Sequence, residues 1–272
     1  MELIIDYSNS FRNIEKLKSL DLNNSNAYNE ILELLSETIV PHPILTMPAG
    51  KYLYRARKNE SKPFITKEEI SYNKDASKIK EYGRANNIGQ SLFYAGHKDD
   101  TAIFETSSLF KDGMIAPGLE RFTLGRWYVK KSIDVIGMVC NKEAMMKEES
   151  LKNLYLKVLN LIGNDANAQR VLEFFSKEFS RNIKGDKNNY KLSCAYFNFI
   201  LNHPQGKRFK GIVYPSVENE YRDLNVALLP DAVDDSLILD MVTEFEADTI
   251  KREISQIGLG DVKKFNLNAI KI

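Results

Sequence analysis

Between Lys142 and Phe199 the apolar residues recur at helical spacing, while the runs on either side of this stretch read as strands. That arrangement narrows the folds open to the chain. Leu151, Leu154, Val158 and Leu161 form one set, Val171, Phe174, Phe175 and Phe179 a second, and Leu192, Tyr196 and Ile200 a third. Asn164-Asp165 and Gly185-Asp186 separate them. Before this block, Phe122 to Val129 and Ile133 to Val139 carry β-branched and aromatic residues on both sides of Lys130-Lys131-Ser132. Strand-like runs return at Ile212 to Tyr214, Val226 to Leu228 and Leu237 to Phe245, ahead of a mixed tail. The pattern predicts an all-helical insertion at about 141–208. Helices gathered in blocks predict an α+β fold with a mixed or antiparallel sheet, not a doubly wound parallel one.

A second helical block precedes the sheet. Phe11, Ile14, Leu17 and Leu20, then Ile31, Leu34 and Leu35, predict two helices within residues 8–39, parted by Asn23-Asn24-Ser25-Asn26. Pro41 and Pro43 stop the second helix, so residues 1–48 read as an N-terminal helical extension and 49–272 as the main domain. The helical pair offers a face for a partner or for homodimerisation, and equally a plain packing role. A chain of 272 residues can bury a sizeable core, and a formal net charge of +1 gives no footprint for nucleic acid. Cys140 and Cys194 lie in apolar surroundings without metal-ligand spacing and read as reduced core residues. Met1 to Asp6 has no signal-peptide character and no run reaches the length of a membrane span, so a cytoplasmic location is expected.

Chemistry concentrates in Tyr82 to Glu105. Tyr82-Gly83-Arg84-Ala85-Asn86-Asn87-Ile88-Gly89 is turn material in which backbone N–H groups can approach a ligand. Ser91 to Tyr94 reads as a short buried strand, and Asp99 or Asp100 as the cap of a helix whose apolar positions include Ala102, Ile103 and Leu109. Loop, strand and helix are expected to bring Arg84, Tyr94 and Glu105 together. There is no P-loop, no Gly-x-Gly-x-x-Gly after a strand, no His-Glu-x-x-His and no Gly-x-Ser-x-Gly. Only His42, His97 and His203 are available as imidazole bases, and no metal site is indicated.

Taken with Gly211-Ile212-Val213-Tyr214-Pro215-Ser216-Val217-Glu218 and Asn225, this stretch resembles the RES-domain family. These are NAD-degrading toxins of bacterial toxin–antitoxin pairs, similar in fold to ADP-ribosyltransferases. Arg84 stands in Gly-Arg-x-Asn, Tyr94 in Leu-Phe-Tyr-Ala, Glu105 in Thr-Ala-x-x-Glu and Ser216 in Tyr-Pro-Ser, followed by Asn225, in the family's order. Arg55, in Leu53-Tyr54-Arg55-Ala56-Arg57, resembles the arginine of the family's opening strand. The resemblance covers about 50–140 and 209–245. Ala85 departs from it, since many members carry an aromatic residue there. Gly125-Arg126-Trp127 mimics the arginine motif but follows Glu105, and is read as a strand.

The resemblance implies an NAD-binding main domain, with NAD as substrate and no bound cofactor, inorganic phosphate as a conceivable co-substrate, and a cognate antitoxin protein as partner. It implies Glu105, Arg84 and Tyr94 as catalytic residues and Arg55, Ser216 and Asn225 as substrate-binding ones. Nicotinamide leaves a pyridinium as a neutral molecule, so its departure needs no general acid and one carboxylate suffices, unlike the pair an ordinary glycosidase uses. A protein ADP-ribosyltransferase is the alternative activity, and a degenerate binding module is the non-enzymatic reading.

Overall fold

The computed structural model describes residues 6–64, 66–111, 114–115, 117–163, 165–251 and 253–259. The expectations that concern Met1–Ile5, Asn164 and the tail after Leu259 fall outside these residues. Two helices come first, α1 (Ser8–Ser19) and α2 (Ala27–Ser36). Each is amphipathic: α1 buries Ile14 and Leu17, and α2 buries Ala27, Ile31 and Leu35 at four-residue intervals. Strands β1 (Ile44–Met47) and β2 (Tyr52–Lys58) follow, then the short helix α3 (Lys67–Ile70), β3 (Phe93–Gly96) and helix α4 (Asp99–Thr106). Next come the two-residue strands β4 (Phe110–Lys111) and β5 (Met114–Ile115), and the long β6 (Leu119–Val129) and β7 (Ile133–Gly137).

Four helices then intervene: α5 (Lys142–Lys147), α6 (Glu149–Ile162), α7 (Ala166–Phe179) and α8 (Lys191–Asn202). Three were expected. The extra one arises because Glu148, at φ −142° and ψ 135°, breaks the first segment into α5 and α6. The chain ends its described part with β8 (Gly211–Pro215), β9 (Leu224–Leu228), α9 (Pro230–Ser236), β10 (Leu237–Asp248) and β11 (Glu253–Leu259).

Among the described residues, one nine-stranded sheet runs in the order β1-β7-β8-β9-β3-β2-β6-β10-β11, with β4 and β5 paired separately. Only β7 and β8 are parallel; the other neighbours are antiparallel, so the fold is α+β with a mixed sheet. A parallel pair cannot be closed by a tight turn and needs a long crossover. Here that crossover is the block α5 to α8, and α8 packs against α2 while α7 packs against α1.

The sheet is nearly split in two. β2 pairs with β6 along its whole length, yet with β3 only at Tyr54 and Gly96. The two halves therefore diverge at β2 and β3, and the gap they leave is where the candidate site lies. On one face the core contains Phe93, Trp127, Phe175, Phe179, Tyr196 and Phe197, all fully buried. Phe93 and Trp127 meet edge to face at 5.1 Å. On the other face α4 seals Ala56, Phe122 and Leu124 with Ala102 and Ile103.

Cys140 and Cys194 are free thiols in the core, and burial pushes both up to about 12, out of the reactive range. No helix among the described residues is long and apolar enough to cross a membrane.

Candidate active site

Thirteen residues line a cleft of about 170 Å³ at the split between β2 and β3. It collects Arg55, Arg84, Tyr94, Glu105 and Asn225, five of the six residues picked from the sequence, although they span 171 positions (55 to 225). Glu105 is the one carboxylate in the lining, facing two arginines and four tyrosines: Tyr54, Tyr94, Tyr190 and Tyr214.

The strand expected at Ser91–Tyr94 is displaced to Phe93–Gly96. The preceding turn uses residues 87–90, where the Gln90 N–H donates to the Asn87 carbonyl, and the Ser91 hydroxyl is drawn off to the Asn73 carbonyl. β3 holds Tyr94 opposite Ala227 of β9 and sends its side chain into the turn at residues 83–86. There the Tyr94 hydroxyl accepts from the N–H groups of Ala85 (3.0 Å) and Asn86 (3.2 Å) and donates to Asn86 Oδ1 (2.9 Å). Burial holds the phenol well above its ordinary pKa, so it remains a donor. A Cβ at Gly83 would collide with Asn86 Oδ1 and the Tyr94 hydroxyl, so any larger residue there would have to displace the bond between them.

Tyr94 is expected from the resemblance to act in catalysis. Its hydroxyl is in fact the peg around which the Arg84 turn is wound. Tyr94→Phe is accordingly expected to leave two N–H groups and an amide oxygen without their partner, costing about 2 kcal/mol in stability. At this chain length that is a fall of roughly 4–8 °C in Tm, measurable by calorimetry. An unchanged Tm would show that the hydroxyl does not organise the turn.

Glu105 comes from the last turn of α4. The helix starts at Asp99, with Lys98 as its cap residue, so neither Asp99 nor Asp100 is the cap; both carboxylates sit in the first turn, where the helix dipole favours them. Capping is done from outside: Asp223 Oδ2 accepts the Lys98 N–H (3.0 Å) and the Thr101 hydroxyl (2.8 Å). Asn219 donates to Thr101 Oγ1 at 2.7 Å, tying the loop after β8 to the same turn. Leu109 lies outside α4, which ends at Thr106; Ser107 is buried with its hydroxyl on Glu120.

The Glu105 carboxylate is held on one oxygen. The Ser216 hydroxyl and Asn225 Nδ2 both donate to Oε1 at 2.6 Å. Oε2 has no hydrogen bond among the described residues. Ser216 is fully buried and absent from the lining, and also accepts the Asn219 N–H. Both residues are expected to bind substrate; in the structure both donate to Glu105, and of the two Asn225 also lines the cleft.

Two arginines line the cleft. Arg55 bridges the split, donating through Nη1 to the Tyr94 carbonyl (2.8 Å) and through Nε to the Ser71 carbonyl (3.2 Å), where ladder bonds between β2 and β3 are missing. Burial, and then the nearby Arg57, lower its pKa to about 10, which leaves it cationic at neutral pH. Arg84 is buried and donates through Nη1 to the carbonyls of Phe179 (2.8 Å) and Arg181 (3.0 Å) at the end of α7. Its guanidinium lies 4.8 Å from the ring of Tyr190 and 5.8 Å from that of Tyr214. Arg126 of the mimic motif sits on β6 outside the lining, bonded to Asp240 through Nε at 2.6 Å.

Tyr190 escaped the sequence reading, since it belongs to a helical block with no motif of its own. Tyr54 and Tyr214 lay inside quoted segments and drew no role. No model of a known family matches the chain, and no curated protein matches it.

Proposed function

We propose that the protein is an NAD-consuming enzyme of the RES type with an ADP-ribosyltransferase-like core, cleaving the bond between nicotinamide and ribose. The observation that carries this reading is Glu105, the single carboxylate of the lining among the described residues, clamped through Oε1 while Oε2 has no hydrogen bond among those residues, in a cleft that also holds Arg84 and Arg55. In the reaction the C1′–N bond breaks and its electron pair stays on the nicotinamide nitrogen, so nicotinamide departs neutral. The oxygen of water or of inorganic phosphate bonds to C1′; with water the displaced proton is released to solvent. Glu105 binds the ribose hydroxyls and stabilises the positive charge that develops on the sugar, an electrostatic role worth most away from bulk water. The two guanidiniums face the pyrophosphate, whose paired oxygens suit their planar donors.

A cleft of about 170 Å³ is smaller than the ~300–1,000 Å³ of pockets that enclose a drug-sized ligand. It encloses only part of the dinucleotide, with the pyrophosphate at the two arginines of the lining and the adenosine end lying outside. An enzyme of this kind acts in the cytoplasm, and it injures its own cell unless a cognate antitoxin covers the cleft. Purified protein incubated with NAD, with and without phosphate, is expected to yield ADP-ribose or ADP-ribose-1″-phosphate by mass. Mass added to protein would move the assignment to ADP-ribosyl transfer. Expression of the chain alone should arrest growth as NAD falls, and Glu105→Ala should relieve it; arrest with NAD unchanged would overturn the proposal.

A further inference from the structure

We infer that Tyr190, which the helical crossover contributes, is a positioning residue that aims the Arg84 guanidinium at the anionic part of the ligand. The inference rests on the reading that the cleft receives a pyrophosphate. Among the described residues, every hydrogen bond of the Arg84 side chain goes to residues 179–190: the Phe179 and Arg181 carbonyls and, at 3.4 Å from Nη2, the Tyr190 hydroxyl. Both hydrogens of Nη1 are used by the two carbonyls. What remains is the Nε–H and the second hydrogen of Nη2, and these are what the arginine can offer a ligand in the cleft it lines. Their direction depends on the plane of the guanidinium. The two bonds from Nη1 anchor one side of that plane, and on the other side the Tyr190 ring packs 4.8 Å away with its hydroxyl accepting from Nη2, so the remaining donors stay turned to the cleft.

The segment that carries Tyr190 is built to hold it. Arg181 Nη2 donates to Asn189 Oδ1 at 2.5 Å, and the Tyr221 hydroxyl donates to the Ser180 carbonyl at 3.0 Å. Asp186 caps the turn Lys187–Tyr190 by accepting the Asn188 N–H. The crossover that the parallel pair β7 and β8 requires thus also furnishes one wall of the site. An anion site assembled in this way depends on the ring of Tyr190 more than on its hydroxyl, whose bond to Arg84 is long.

The test uses inorganic pyrophosphate as the probe, titrated into the full chain by calorimetry and followed alongside Tm. Tyr190→Ala and Tyr190→Leu are each expected to weaken pyrophosphate binding about tenfold or more, while Tyr190→Phe stays within about twofold of wild type. Nicotinamide binding should be little changed in all three, which a general structural defect would not produce. Equal pyrophosphate affinity in wild type and a folded Tyr190→Ala or Tyr190→Leu, or no pyrophosphate binding by wild type, would overturn the inference. NAD cleavage measured on the same proteins separates the two claims. The expected pyrophosphate pattern in a protein that does not cleave NAD would sink the proposed activity and leave the role of Tyr190 standing.

Discussion

Glu105→Gln should bind NAD about as well as wild type and turn it over about 10²–10³-fold more slowly. The amide keeps the shape of the side chain and an oxygen that can accept from Ser216 Oγ and Asn225 Nδ2, both at 2.6 Å from Oε1 in the native site. What it removes is the negative charge on the second oxygen. That charge acts on the transition state, where the ribose is most cationic, and less on the ground state, so kcat should fall much more than KM rises. Single-turnover cleavage and NAD titration on the same preparation check both halves. A variant with near-normal kcat would remove Glu105 from the chemistry, and one that lost NAD binding instead would make it a binding group only.

The helical pair, the strands and the helical block could be read from apolar spacing, because burial on one face imposes a period that survives in the sequence. Ile14 and Leu17, or Ile31 and Leu35, are buried as their spacing requires. The boundaries that shifted did so where a side chain found a partner far along the chain. α4 begins at Asp99 because Asp223 caps it from outside, and β3 begins at Phe93 because the turn before it takes up Asn87 and Gln90. The order of the strands was not legible either. Placing β3 beside both β9 and β2 depends on long-range pairings that leave no periodic trace.

The site divided along the same line. The loop, strand and helix read between Tyr82 and Glu105 grouped Arg84, Tyr94 and Glu105, and the family resemblance added Arg55, but neither told how these residues are held. That Ser216 and Asn225 serve the carboxylate, that the Tyr94 hydroxyl organises the Arg84 turn, and that Tyr190 stands over the guanidinium are relations between segments separated by as many as 120 residues. Tyr190 in particular lies in a block whose visible signal was helical packing, so nothing marked it as functional.

Arg84→Lys should raise the KM for NAD about tenfold or more and lower Tm, whereas Arg126→Lys should leave KM within about twofold of wild type. Both arginines follow a glycine, so the comparison decides which motif anchors the site. At Arg84 a lysine keeps the charge but not the fork. One ammonium that serves the Phe179 and Arg181 carbonyls, 2.8 and 3.0 Å from Nη1 in the native protein, keeps a single N–H for a pyrophosphate and loses the paired donors of the fork. If it stays with the carbonyls, substrate binding suffers; if it turns to the substrate, the end of α7 loses its donor and stability suffers. At Arg126 the partners are Asp240 on the neighbouring strand and the ring of Tyr52, at 4.7 Å; neither lines the cleft, and the lining residue opposite Arg126 in the sheet, Tyr54, meets a charge that a lysine preserves. A lysine can maintain that ion pair, whose two side chains are 33% and 25% exposed. Equal changes in KM at the two positions would mean that the substrate does not meet Arg84, and the cleft between β2 and β3 would then have to be given up as the NAD site.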